Sequence, residues 1–211
     1  MYNKSLFALS SVSFASSFLP FVLGIIKYKT LKNVLPVFYI ALVSVTFELV
    51  GYLFSNQSVA TKYISYVYTV CEFCFVLHFF IEYYKKYYKI KFLYALIPLF
   101  IILTIIDYVY VITNSIDSVS LIFESLLFIF ISLYSLLFFI KHLIDEKITE
   151  NPFFWANAGI LIYFSGNILL FLFDKTLKSK EYDVVYIFTH SILNIFYNCL
   201  LCISFIKSRV K

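Results

Sequence analysis

Seven apolar stretches run along the chain, each about the length a helix needs to cross ~30 Å of hydrocarbon, and short polar segments separate them. They cover residues 6–26, 34–54, 63–84, 92–112, 119–143, 153–173 and 186–206. Each is continuous rather than alternating, so the two-residue period of a membrane barrel is absent and the pattern predicts helices. Only a helix or a closed barrel satisfies its own backbone in lipid. The chain therefore reads as all-α, a polytopic membrane protein in which residues 1–211 form a single domain of seven transmembrane helices. Asn151-Pro152 predicts the start of the sixth helix, with Asn as the cap and Pro in the first turn, where its missing N–H is not needed.

Composition sharpens this picture. Of the 211 residues, 62% are apolar, 22% aromatic and 14% charged, against about a quarter charged in a soluble domain. An ordinary soluble fold is excluded, and any chemistry is expected inside the bundle or in short loops. The formal charge of +5 is unevenly placed. Taking alternate sides of the membrane, Lys27, Lys29, Lys32, Lys85, Lys86, Lys89, Lys91, Lys141, Lys147, Lys207, Arg209 and Lys211 fall on one side. Lys4, Lys62, Lys175, Lys178 and Lys180 fall on the other. Cytoplasmic loops retain positive charge, so the N-terminus is predicted outside and the C-terminus in the cytoplasm. The segment Tyr83-Tyr84-Lys85-Lys86-Tyr87-Tyr88-Lys89 reads as an inner belt that meets anionic membrane lipids. This asymmetry accounts for the net charge, and no direct nucleic-acid partner is expected. A lone lysine before the first stretch and three after it reverse the charge order of a secretory signal, so that stretch is expected to be a true span.

Ionisable side chains within a span cost about 2.5–3.5 kcal/mol each on insertion scales, which makes each a functional candidate. Away from the span ends these are Glu48, Glu72, His78, Asp107, Glu124 and His190, with Asn167, Asn194 and Asn198 as neutral polar neighbours. A rise of ~1.5 Å per residue puts Glu48 about 9 Å below the outer surface, Glu72 about 13 Å, Glu124 and Asp107 about 7 Å, His190 about 6 Å and Asn194 about 12 Å. Ser44 shares a helical face with Glu48; Ser65 and Thr69 with Glu72; Asp117 and Ser120 with Glu124; Asn194 and Asn198 with His190. If those faces turn inward, Glu48, Glu72, Glu124, His190, Asn194 and Asn167 form one outward-opening pocket for a ligand or cation. No Lys or Arg lies deep in any span to neutralise it. Close carboxylates in a low dielectric cannot all stay ionised, so the pocket is expected to hold protons, a cation or a small amine ligand. The competing expectation is that each carboxyl is tied off by its own Ser, Thr or Tyr on a neighbouring helix.

Several enzymatic patterns compete with a binding role. Ser165, Gly166 and Asn167 with His190 and Asn194 resemble in part the Ser–His dyad of rhomboid intramembrane proteases. However, Tyr163 stands where that pattern has glycine, and the order of parts is reversed. Glu48, Glu72, Glu124 and His190 offer a divalent-metal site similar to those of ceramidase-like seven-helix hydrolases, which use several histidines where this outer half has one. Cys71-x-x-Cys74 with His78, and Cys199-x-x-Cys202, have zinc-like spacing but lie along continuous helices. No span carries a lysine placed for a retinal Schiff base, and no inverted repeat marks a transporter. No cofactor follows from these residues.

Certain segments carry a resemblance. Ser17-Phe18-Leu19-Pro20-Phe21 with Gly24, Phe47-Glu48-Leu49, Tyr68-Thr69-Val70-Cys71-Glu72-Phe73 and Glu124-Ser125-Leu126-Leu127 are four of them. Asn151-Pro152-Phe153-Phe154-Trp155, Tyr163-Phe164-Ser165-Gly166-Asn167 and His190-Ser191-Ile192-Leu193-Asn194-Ile195 complete the set. Over essentially the whole chain they resemble an uncharacterised family of small seven-helix bacterial integral membrane proteins. The resemblance implies the bacterial cytoplasmic membrane as location and places the polar positions in a shared pattern, without implying an activity. In size and multi-span character the chain is also similar to the membrane accessory protein of type VI-B CRISPR loci, which would imply modulation of RNA interference. The sequence thus points to a non-enzymatic sensory or accessory module acting through a cytoplasmic or membrane partner protein. The CRISPR accessory role and a metal-dependent intramembrane lipid hydrolase are its alternatives.

Overall fold

The computed structural model describes residues 2–29, 34–54, 58–85, 87, 90–114, 119–142, 148–173 and 179–208. Lys32, Lys86, Tyr88, Lys89, Asp117, Lys147, Lys175, Lys178, Arg209 and Lys211, used above for charge and face patterns, lie outside these residues. Among the described residues the fold is entirely helical: α1 (Tyr2–Ile26), α2 (Leu35–Leu53), α3 (Ser58–Tyr84), α4 (Leu96–Asn114), α5 (Val119–His142), α6 (Pro152–Phe173) and α7 (Ser179–Lys207). Short 3-10 turns, Lys91–Ala95 and Ile148–Glu150, lead into α4 and α6. Six of the helices are long and apolar enough to cross a membrane, and by that measure the chain is a multi-pass membrane protein. The exception is α4, whose described apolar stretch runs Leu93–Val109.

Helices adjacent in sequence pack against one another, and α7 closes the ring onto α1. Their directions follow from side-chain pairs. Tyr39 meets Phe75 and Phe47 meets Tyr68, so α2 and α3 are antiparallel. Tyr94 lies beside His78 while Tyr108 packs on Tyr63 and Tyr66, so the chain through α4 runs back along α3. Phe73 then meets Phe128, and Tyr84 meets Tyr134 and Phe138, which makes α3 and α5 parallel. Ser13 with Asn194, Ser16 with Asn198 and Lys27 with the Ile206 carbonyl likewise make α1 and α7 parallel.

The helix ring is filled differently at its two ends. Towards the ends of α3 and α5 the core is aromatic: Phe73 stacks on Phe100 with centroids 3.9 Å apart, and Phe79 stacks on Phe153 at 4.4 Å. Tyr83 also lies face to face with Phe153. In lipid, where apolar surface gains little by leaving solvent, this close packing rather than burial from water holds the helices together. Two glycines bring helices close. A Cβ added at Gly24 would sit 2.4 Å from the Phe38 ring, and one at Gly166 would sit 2.3 Å from Leu193.

Helix starts are built from the polar residues the pattern singled out. Asn151 Oδ1 accepts from the Phe153 N–H at 3.0 Å, capping α6 as the Asn-Pro pair predicts. Asp107 does the same across two helices. Its carboxyl accepts from the Val119 N–H at 3.2 Å, the Ser120 N–H at 3.1 Å and the Ser120 hydroxyl at 2.6 Å, so a side chain of α4 caps α5. Water cannot replace these bonds at the buried Ser120. Asp107→Ala is therefore expected to lower stability by about 1–2 kcal/mol. Helical ellipticity followed against temperature in detergent checks this, and a melt identical to the parent would show that the cap carries no energy.

Candidate functional site

The odd-numbered helices enter, and α2 and α6 leave, at the end of the bundle opposite the aromatic core. There a cavity of about 300 Å³ opens between helices. The structure brings Glu48 from α2, Glu72 from α3, Glu124 from α5, Asn167 from α6 and His190 and Asn194 from α7 to its lining. These six positions come from five helices, so the cavity exists only when those helices pack. Asp107 and Asn198 stand apart from it. Asp107 is the α5 cap, while Asn198 donates to the Ser16 hydroxyl at 3.0 Å and to Asn194 Oδ1 at 3.3 Å between α1 and α7.

The three glutamates have different local chemistry. Glu48 joins three helices: its Oε2 accepts from the Ser17 hydroxyl of α1 at 3.0 Å and its Oε1 from the Asn194 amide of α7 at 3.1 Å. Asn194 also donates to the Ser13 hydroxyl at 3.0 Å, so one asparagine links α1, α2 and α7. Glu72 accepts at Oε1 from the Tyr68 hydroxyl one turn earlier, at 2.8 Å. Glu124 is 1% exposed, and its Oε1 is buried with no hydrogen-bond partner. A buried acceptor left unpaired costs free energy that folding must recover elsewhere, which singles Glu124 out for interaction with something besides the protein.

His190 has a defined tautomer when neutral. Its Nδ1 lies 3.2 Å from Asn167 Oδ1, an acceptor, so Nδ1 carries the proton and Nε2 keeps a lone pair. The ring stacks flat on Tyr186, with planes 3° apart. His190 thus bonds Asn167 rather than Ser165, and Ser165 is not part of the cavity lining. Among the described residues no Lys or Arg lines the cavity. All four cysteines are free thiols, and among the described residues no three His, Cys, Asp or Glu side chains group to hold a metal ion. His78, whose Nδ1 is 2.9 Å from the Tyr94 hydroxyl, lies in the other half of α3.

Much of the lining is aromatic and was not singled out by the polar pattern. Tyr68, Tyr163 and Tyr186 face the same space as Phe47 and Phe164. A usable signal is nevertheless present in the sequence. Tyr68, Tyr163 and Tyr186 precede Glu72, Asn167 and His190 by four residues each, the spacing that stacks two side chains on one helical face. No protein-family model, curated protein or solved structure matches this chain. Its chemistry is therefore read from the cavity itself.

Proposed function

We propose that this chain is a non-enzymatic sensory or accessory module of the bacterial cytoplasmic membrane, with seven crossings, the N-terminus outside and the C-terminus in the cytoplasm. Its cavity opens outward to receive positive charge, and its basic inner face meets a partner protein. The observation that carries this reading is a cavity with three glutamates in its wall and, among the described residues, no Lys or Arg. Parallel α3 and α5 support the seventh crossing, because the chain between two parallel neighbours must return across the same thickness. Lys27, Lys29, Lys85, Lys141 and Lys207 all follow or close the C-terminal ends of odd-numbered helices, opposite the cavity. That is the side on which positive residues favour cytoplasmic placement.

The signalling step follows from electrostatics and from the links to Glu48. Carboxylates facing one low-dielectric space repel one another, and a proton or bound cation removes that repulsion. A ligand shifts a conformational equilibrium only as far as it binds two arrangements differently. Here the groups that would sense the charge share a wall with Glu48, which ties α1, α2 and α7 together. A change in cavity charge thus acts on the contacts that set those three helices, and their far ends carry Lys27 and Lys207 to the partner-facing side.

The test is the unfolding temperature of the full chain in maltoside detergent, titrated with acid and with a panel of inorganic and organic cations. At least one titrant is expected to shift it by several degrees, with Glu72→Gln and Glu124→Gln each reducing that shift by half or more. A parent protein indifferent to every titrant, or variants that respond as it does, would remove the charged-input reading.

A further inference from the structure

The cavity is too large and too aromatic to be explained by a proton or a bare metal ion. Its ~300 Å³ equals about ten water molecules at ~30 Å³ each, so an inorganic ion would leave most of it to be filled. The donors are also not grouped for a metal among the described residues. Hydroxyls and amides share the wall with three carboxyls, and the acceptors that matter here are on Glu124, Glu72 and His190. Glu124 Oε1 is buried and without a partner, Glu72 has a single tyrosine donor on Oε1, and neutral His190 has its Nε2 lone pair. Around them, Tyr163 and Tyr186 contribute aromatic rings to the wall, whose area suits carbon.

From this juxtaposition we infer that the cavity binds a primary organic ammonium ion, its N–H donors directed to Glu124, Glu72 and His190 and its carbon portion against the tyrosine wall. The inference rests on the charged-input reading and narrows it to one chemical class. An ammonium group brings three N–H donors, one of them for the Glu124 Oε1 that no protein group reaches. It also brings positive charge to a wall whose described residues include no Lys or Arg. Its carbon portion fills volume that a hydrated metal ion would leave to water. A neutral alcohol of the same shape satisfies the aromatic wall and offers one O–H donor, but brings no charge to the carboxyls. A quaternary ammonium brings charge without an N–H. The same group could arrive as a soluble amine or as the headgroup of an aminophospholipid, and the chemistry at Glu124 is common to both.

Gly51 provides a control independent of charge. It lines the cavity, and a Cβ added there meets nothing within 4 Å, so a side chain at this position starts from open space. The experiment uses the full chain in maltoside detergent, with 2-phenylethylamine, its neutral counterpart 2-phenylethanol, sodium chloride and calcium chloride as probes. Binding is read by calorimetric titration and by unfolding temperature. The amine is expected to bind at least tenfold more tightly than the alcohol. Glu124→Gln is expected to weaken the amine at least tenfold while leaving the alcohol unchanged, and Gly51→Leu to weaken both by occlusion. Equal binding of amine and alcohol, or amine affinity retained in both variants, overturns the inference. A response to acid, sodium or calcium without a response to the amine also overturns it, while leaving the charged-input reading in place. Indifference to all of them removes both. Nanodiscs of phosphatidylglycerol with and without phosphatidylethanolamine identify the source. Stabilisation by phosphatidylethanolamine that Glu124→Gln abolishes and 2-phenylethylamine competes away supports a lipid headgroup as the ammonium donor. Its absence alongside amine binding supports a soluble amine.

Discussion

Glu124→Met is expected to stabilise the protein by about 1–3 kcal/mol, the cost of a buried polar group without a partner, even though it removes the group that ligand binding needs most. Glu124 is 1% exposed and its Oε1 has no partner. Methionine has a similar length and a flexible, apolar end that can follow the shape of the site. Replacing an uncompensated polar group by an apolar one of similar volume relieves the desolvation penalty without opening a void. The same variant should lose the response to positively charged ligands, so stability and response move in opposite directions, as at sites where unmet interactions are kept for a ligand. Chemical unfolding in detergent, together with ligand titration, measures both. A fall in stability of the size seen for other buried polar replacements would mean that the carboxyl is already satisfied, and Glu124 would then be a structural residue like Glu48.

The second large effect is expected at Phe73. Its ring is fully buried, stacked on Phe100 at 3.9 Å and tilted against Phe128 at 5.3 Å, so it joins α3, α4 and α5 immediately beneath the cavity. Phe73→Ala removes one of the rings that link α4 to its neighbours and leaves a void that rigid aromatic partners cannot fill. The expected loss is about 3–5 kcal/mol, the range for a large aromatic replaced by alanine in a packed core. Because Glu72 adjoins Phe73 in sequence and Glu124 is one turn from Phe128, the variant should also weaken ligand binding through the cavity floor. Unfolding of the variant beside Phe73→Leu, which retains most of the volume, checks the mechanism. A loss no larger for Ala than for Leu would show that α4 is held by something other than this stack.

The contrast between Glu48, Glu72 and Glu124 illustrates what a linear pattern can convey. All three stand out as carboxyls in apolar stretches, because the cost of charge in lipid makes such residues rare. Their helical faces are also legible, since a spacing of four sets Ser44 beside Glu48 and Tyr68 beside Glu72. What the spacing cannot reveal is a partner on another helix. Ser17 and Asn194 reach Glu48 across gaps of 31 and 146 residues. Glu124 differs from Glu48 only because the packing of its neighbours leaves Oε1 without any such partner. Asp107 makes the same point: its depth resembles that of the cavity glutamates, yet the turn into α5 claims its carboxyl as a cap.

Local chemistry and length determined that this chain is helical and apolar enough to pass through a membrane several times. Backbone groups in lipid must be satisfied within the segment, and about twenty apolar residues suffice to cross. The same local rules determined which few polar residues stand within the spans and on which helical face each lies. The tertiary structure alone decided that five helices deliver those faces to one space, that aromatic rings line it, and that one carboxyl oxygen is left over. Those are properties of how helices are rotated and set against one another, governed by contacts such as Gly166 against Leu193 and Phe73 against Phe100. Such contacts form between residues far apart in sequence, and no period along the chain encodes them.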